Sequence, residues 1–440
     1  MGVLSMLFSM GSKTSRRSLL ASSFAVLVAA QLQLPLGAQQ KAPTRSECEK
    51  AIRSFLVAEP GERDALEAKL FETLSRVAPL SKKEAAAWRK KILDYHKKGR
   101  RLERSGRNWF DEKEKRGLYF VGGETKRPKG LVFGLHGGGA GSGDASSAFG
   151  AYQSAANKLD WALVCPEVLV KSEHGWTTDG TEEWVLELID CSLRTFKVDP
   201  DHVFFAGHSM GGYGSWTVGA HHADRIAAIV PSAGAPTPIF DIRDKTKLID
   251  IEAGVIPSLR NVRAVIFQST DDPRVPPAPN QFAVELLKRA QEKWGGYDFE
   301  YIEVTDRGHG FPKEGIDWLL EKVAKSSRNA VPERITWQPK LSWKRQFYWL
   351  RWEKPVLESI VVADLDRKAN QIHIRCDKDP AGLQVLLDDR VLDLSKECVV
   401  TINGEEAWRG VPERRLTTIV RTSLHPDANL QFECAVPPLQ

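Results

Sequence analysis

The stretch Gly207-His208-Ser209-Met210-Gly211 constrains this chain more than any other. A serine held on a sharp turn between a strand and a helix needs glycine two residues to either side, because a Cβ there would crowd the tight backbone. The flanks fit. His202 to Ala206 (HVFFA) has strand character, and Gly212 to His222 reads as the beginning of a helix. This context predicts an exposed serine hydroxyl, with the first N–H groups of the helix facing a developing negative charge.

A serine hydroxyl is a poor nucleophile until an imidazole takes its proton, and that imidazole must be oriented by a carboxylate. Val262 to Gln268 reads as a buried strand that runs into Ser269-Thr270-Asp271-Asp272-Pro273-Arg274-Val275-Pro276, so either Asp271 or Asp272 qualifies as the orienter. Tyr301 to Val304 ends a strand ahead of Asp306-Arg307-Gly308-His309-Gly310-Phe311. The flanking glycines leave His309 free to swing toward a serine, which makes it the candidate general base. His208 adjoins the serine and points away from it, so it orders the turn or lines a pocket. His221-His222 reads as a solvated helix end. Backbone donors for an oxyanion come from His136-Gly137-Gly138-Gly139, after the strand-like Leu131 to Leu135, and from the N–H of Met210. The glycine run is not a phosphate loop, since no Lys-Ser/Thr follows it and no G-x-G-x-x-G with a downstream acid is found.

Four such elements in this order, each after a strand-like run, resemble the α/β-hydrolase superfamily over residues 130–324. Asp199-Pro200-Asp201-His202-Val203, leading into Gly207 to Trp216, resembles secreted esterases akin to prolyl-oligopeptidase catalytic domains, polyhydroxybutyrate depolymerases and feruloyl esterases. The resemblance favours Asp272 over Asp271, because Asp-x-x-Val-Pro after such a strand is how this loop reads in those hydrolases. It implies Ser209, Asp272 and His309 as the catalytic set, with Met210, Gly137, Gly138 and Gly139 as the oxyanion hole. The reaction it implies is hydrolysis of a carboxylic ester through an acyl-enzyme, with no cofactor and no metal. His136, His208, Trp176 and Trp184 are candidate pocket residues, the two tryptophans suiting core packing equally well. The expected substrate is a small-molecule or polysaccharide-linked ester. Two other readings stay open: a serine peptidase of prolyl-oligopeptidase-like type, and a non-catalytic carbohydrate-binding protein on a hydrolase scaffold.

Strand-like runs at Leu131–Leu135, Ala162–Pro166, Val203–Ala206, Ile226–Pro231, Val262–Gln268 and Phe299–Val304 alternate with helix-like stretches. That alternation predicts an α/β fold with a mainly parallel sheet and helices on both faces. Ser232 to Asn261 is long for a connection and is expected to cap the site. The expected organisation is an export signal over 1–38, a helical extension over 39–115 and a catalytic domain over 116–328. A linker over 329–355 and a small antiparallel β domain over 356–440 follow.

The signal rests on Arg16-Arg17 ahead of an apolar run, a twin-arginine-like pattern, with cleavage after Ala38, and predicts a periplasmic or secreted protein without stable membrane insertion. Its removal would delete three cations and no acid, taking the formal charge from +5 to +2 and arguing against a nucleic-acid partner. The six cysteines have long spacings, so neither a pairing nor a zinc site is readable. In the helical extension, Trp88, Ile92 and Tyr95 form one apolar stripe on an otherwise basic helix. Trp337, Trp343, Trp349 and Trp352 crowd the linker, where they bury a junction or stack on sugar rings. Asn403-Gly404 signals a hairpin.

Overall fold

The computed structural model of the chain describes residues 41–58 and 60–437, and the expected export signal lies outside them. Three helices come first: α1 (Arg45–Val57), α2 (Pro60–Ser75) and α3 (Lys82–His96). Capping boxes start α1 and α3, where Thr44 and Ser81 accept the N–H of Glu47 and Glu84 and those carboxylates bond back. Trp88 and Ile92 of α3 are buried with Ile52, Leu74, Leu416 and Ile419, so the helical extension seats itself on the C-terminal region. Part of the basic face follows it there, since Arg89 reaches Glu433 at 3.2 Å and Lys82 reaches Asp389 at 2.8 Å.

Strands β1 (Gly106–Asp111) and β2 (Arg116–Gly123) form an antiparallel hairpin across the expected boundary at residue 115, so that β1 lies within the stretch read as helical extension. Helical periodicity ends at His96, and the change of element there carries no strong sequence mark. The chain then alternates: β3 (Gly130–Leu135), α4 (Ala145–Lys158), β4 (Trp161–Pro166), α5 (Thr181–Phe196), β5 (Val203–His208), α6 (Met210–His221) and β6 (Ala228–Ser232). A hairpin of β7 (Pro238–Phe240) and β8 (Leu248–Ile251) interrupts it before β9 (Arg263–Ser269), α7 (Ala278–Trp294), β10 (Phe299–Val304) and α8 (Gly315–Glu321).

Eight strands join one sheet in the order β1-β2-β4-β3-β5-β6-β9-β10. β2 runs antiparallel to both neighbours, and from β4 to β10 every pairing is parallel. Strands covered on both faces read as continuous apolar runs, and β3 and β4 are buried at every residue. Tyr152, Ala155 and Leu320 of α4 and α8 cover one face, while Leu188, Trp216 and Leu287 of α5, α6 and α7 cover the other.

Residues 329–355, expected as a linker, hold β11 (Arg334–Trp337), β12 (Gln346–Phe347) and β13 (Leu350–Trp352). Trp337, Trp349 and Trp352 are buried, and the indole N–H groups of Trp349 and Trp352 donate to the carbonyls of Pro332 and Ala381. So much apolar area has no place on a solvated linker. Then come β14 (Val361–Asp366), β15 (Gln371–Cys376), β16 (Leu383–Leu387), β17 (Cys398–Ile402), β18 (Glu405–Gly410), α9 (Leu416–Arg421) and β19 (Cys434–Ala435). They build two small sheets, β11-β14-β15-β17-β18 and β12-β13-β16-β19, antiparallel except for the β15–β17 pair. Asn403 and Gly404, at φ +50° and +95°, turn the β17–β18 hairpin as their sequence predicts.

From Pro43 onward the chain forms one compact unit. Buried ion pairs tie the large sheet's periphery to the C-terminal region: Arg328 bridges Asp201 and Asp427, and Lys344 lies 2.6 Å from Asp224. The six cysteines are free and buried. Burial raises the Cys165 thiol well above its ordinary range and brings that of Cys191 up to about 12.

The structure corrects the reading of His221-His222 as a solvated helix end. Both rings are buried on Glu182 of α5, with contacts of 3.0 Å from His221 Nδ1 and from His222 Nε2 to its Oε2. Burial works to raise the Glu182 carboxyl, and the two imidazoles outweigh it, holding it at about 2.

Candidate active site

Strand β5 delivers Ser209 to the start of α6 with φ +60° and ψ −123°, a conformation costly for any residue with a side chain. Close packing around it explains the glycines. A Cβ on Gly207 would fall 2.0 Å from the Gly211 carbonyl oxygen, and one on Gly211 would fall 2.0 Å from that of Leu135. The bend turns the hydroxyl away from the sheet toward the loop after β10.

There His309 Nε2 lies 2.9 Å from Ser209 Oγ, and His309 Nδ1 lies 2.8 Å from Asp272 Oδ2. These partners assign the tautomer: Nδ1–H donates to the carboxylate, and Nε2 accepts the serine proton. Asp272 Oδ1 meanwhile accepts the N–H groups of Arg274 and Val275 at 2.8 and 2.9 Å. Burial of Asp272 opposes ionisation, but those N–H groups and the His309 ring outweigh it and keep its carboxyl below the ordinary range.

Asp271, the rival orienter, faces the other way. Its Oδ1 accepts from Ser269 Oγ at 2.5 Å and from the N–H of Gly308 at 2.9 Å, while Ser269 Oγ accepts the N–H of Arg307 at 3.1 Å. Asp271 and Ser269 thus clasp the loop that carries His309. The sequence left Asp271 as a rival orienter, because its bond to Gly308, 37 residues onward, is not legible there.

The glycine loop divides. Gly137 packs on the elbow, where a Cβ would meet Ser209 Cβ at 3.2 Å; Gly138 and Gly139 instead adjoin Ser142 and the Glu173 carboxylate. The N–H of Met210, at the first position of α6, has no carbonyl to bond within its own helix.

Of the four candidate pocket residues, three sit in the interior. His136 is buried; its Nε2 accepts the N–H of Val168 at 3.1 Å, so Nδ1–H donates to the Gly137 carbonyl at 2.8 Å and shapes the turn from within. Trp176 is fully buried and donates to the His136 carbonyl at 3.2 Å. Trp184 is buried beside Gly117 in the β1–β2 hairpin. The apolar area of the two indoles is spent in the core.

His208 alone adjoins the reactive groups. Its ring lies 4.8 Å from that of His309 and 4.4 Å from that of Phe311. Burial, reinforced by the neighbouring His309, lowers its pKa to about 4. Burial lowers His222 to about 4 as well. A histidine depressed below its unfolded value near 6.5 takes up protons on unfolding, so its stabilising effect is present above that value and is lost as pH falls toward 4. The thermal midpoint is therefore expected to fall between pH 6.5 and 4. His208→Phe, which keeps a ring against His309 and Phe311, should flatten that slope in a calorimetric pH series; an unchanged slope would remove His208 from the account.

Among the described residues no group of His, Cys, Asp and Glu could hold a metal ion, and no helix is long and apolar enough to cross a membrane. An eight-stranded sheet in this order, with a serine elbow after its fifth strand and the His309 loop after its last, is the α/β-hydrolase fold.

No family model matches the chain. A stretch of 79 residues is 30% identical to a bifunctional acetylxylan esterase/xylanase of Neocallimastix patriciarum, covering 15% of this chain and 12% of that protein. Among solved structures the chain is similar to a thermostable esterase, with a TM-score of 0.37 and 20% identity over 51% of this chain and 64% of that one. It is also similar to a phospholipase/carboxylesterase from Dyadobacter fermentans, with a TM-score of 0.34 and 16% identity over 47% and 96% of the two chains. Esterase 2 of Thermogutta terrifontis, phosphonylated by cyclosarin, gives a TM-score of 0.38 and 15% identity over 50% and 90%.

Proposed function

We propose that this chain is a serine hydrolase that cleaves carboxylic esters through an acyl-enzyme. The observation that carries the reading is the hydrogen-bonded run from Ser209 Oγ through His309 to Asp272, built on a strained elbow. Ser209 Oγ attacks the ester carbonyl carbon while His309 Nε2 takes its proton, and Asp272 stabilises the imidazolium. Negative charge gathers on the former carbonyl oxygen, where the N–H of Met210 and those of the Gly137 to Gly139 loop, Gly137 nearest, are the proposed donors. Collapse breaks the bond to the alcohol oxygen, which leaves with the proton from His309. Water then attacks the acyl-serine, giving its proton to the same nitrogen, and the acid departs as Ser209 is reprotonated.

The 79-residue likeness to an acetylxylan esterase supports an ester over an amide. Export to the periplasm or beyond, through the signal expected over 1–38, belongs to the same proposal. The test is a p-nitrophenyl ester series from acetate to long acyl chains beside a prolyl p-nitroanilide. Turnover of at least one ester with no release of the anilide is expected; release of the anilide alone would replace the esterase by a peptidase.

A further inference from the structure

Where α1 and α2 meet α5 and the C-terminal region, the surface opens into a cavity of about 550 Å³. Its charges do not cancel. Arg225 is paired with Asp190 and Lys344 with Asp224, each at 2.6 Å. Arg345 and Arg351 share one carboxylate, Glu353, at 2.9 and 2.7 Å, and Glu67 lies 3.9 Å from Arg345. Among the described residues Arg63 and Arg421 form no ion pair: Arg63 Nε donates to the Ala58 carbonyl at 2.9 Å, and the Arg421 guanidinium lies 4.3 Å from the centre of the Phe71 ring. Glu183, the remaining acid of the lining, is exposed, and burial keeps the lining's His425 neutral. Six cations therefore face five carboxylates, and one positive charge is left over. Arg351 registers that excess, since burial lowers its pKa and the neighbouring Arg421 and Arg345 lower it further, against Glu353.

The same cavity offers apolar area to solvent. Trp343 stacks on the buried His222 with 5.7 Å between ring centres, yet the residue is still 37% exposed, and Leu424 beside it is 45% exposed. Leu186 and Phe71 are half-buried. A bare phosphate would leave these walls unused, a neutral apolar molecule would leave Arg63 and Arg421 without a counter-ion, and a polyanion would meet Glu67 and Glu183. One negative charge on an apolar body satisfies both sets of groups. The cavity is separate from the reaction centre. Asp224 and Arg225, which line it, follow the C-terminal end of α6, whose twelve residues put about 18 Å of helix between them and Ser209.

We propose that this cavity is a second binding site, for an organic monocarboxylate whose charged head is held by Arg421 and Arg63 and whose apolar body packs on Trp343 and Leu424. The test titrates 2-naphthoate, and 2-naphthamide as its neutral counterpart, into the full chain by calorimetry, which reads binding without any turnover at Ser209. Naphthoate is expected to bind at least about tenfold more tightly than the amide. Arg421→Gln and Arg63→Gln should each weaken naphthoate about tenfold and leave the amide within about twofold, and Trp343→Ala should weaken both ligands. The two arginines stand on different helices, α9 and α2, so the loss of one variant to misfolding, read by circular dichroism, leaves the other to decide. Equal affinity for naphthoate and the amide, a naphthoate affinity unmoved by both arginine substitutions, or no binding at millimolar concentration would overturn the proposal.

Discussion

Replacing Ser209 by alanine is expected to lower the rate on p-nitrophenyl acetate by roughly 10⁴- to 10⁶-fold while the protein stays folded. The size follows from the shared role of three groups. Without Oγ the imidazole of His309 has no nucleophile to activate, and what survives is the contribution of oxyanion donors and binding alone. Folding is spared because the substitution removes one oxygen whose partner, His309 Nε2, borders solvent-accessible space, and alanine inherits the same strained φ without adding atoms. Steady-state rates and circular dichroism of the two proteins check both halves. A variant that retains a tenth of the activity would move the chemistry to another residue.

The second large effect separates the two aspartates. Asp272→Asn is expected to cost roughly 10⁴-fold in kcat. Its remaining oxygen can go on accepting the N–H groups of Arg274 and Val275, which turns the new NH₂ toward His309 Nδ1. The imidazole must then carry its proton on Nε2, where it cannot accept one from Ser209. Asp271→Asn should cost less than about tenfold, since the amide oxygen still accepts from Ser269 Oγ and the N–H of Gly308. Measuring kcat for both variants decides the matter: comparable losses, or a larger one at Asp271, would contradict the assignment of Asp272 as orienter.

What the sequence disclosed was local. The elbow could be read because its glycines, its serine and the strand before it lie within ten residues, and strands β3, β4, β5, β9 and β10 fall within one or two residues of their apolar runs. The long-range pairings were hidden. Glu182 stands 39 and 40 residues before the histidines it holds, and nothing in Thr181-Glu182-Glu183-Trp184 beyond an acid on an apolar helix marks it. His136 has the residue type of a pocket group, yet Val168 and Trp176 bind it inward. The β1–β2 hairpin escaped because Leu118 to Val121 of β2 is a continuous apolar run with no alternation to mark it, and the linker tryptophans because Trp349 and Trp352 bond to carbonyls 17 and 29 residues away.

The central claim is that Ser209 is an activated nucleophile. Treating the chain with a fluorophosphonate and locating the adduct by peptide mass spectrometry tests it most directly. The account predicts a single phosphonylated peptide bearing the adduct on Ser209, formed quickly in the native chain and lost in His309→Ala. An unlabelled Ser209 under conditions that label a known serine esterase would contradict it.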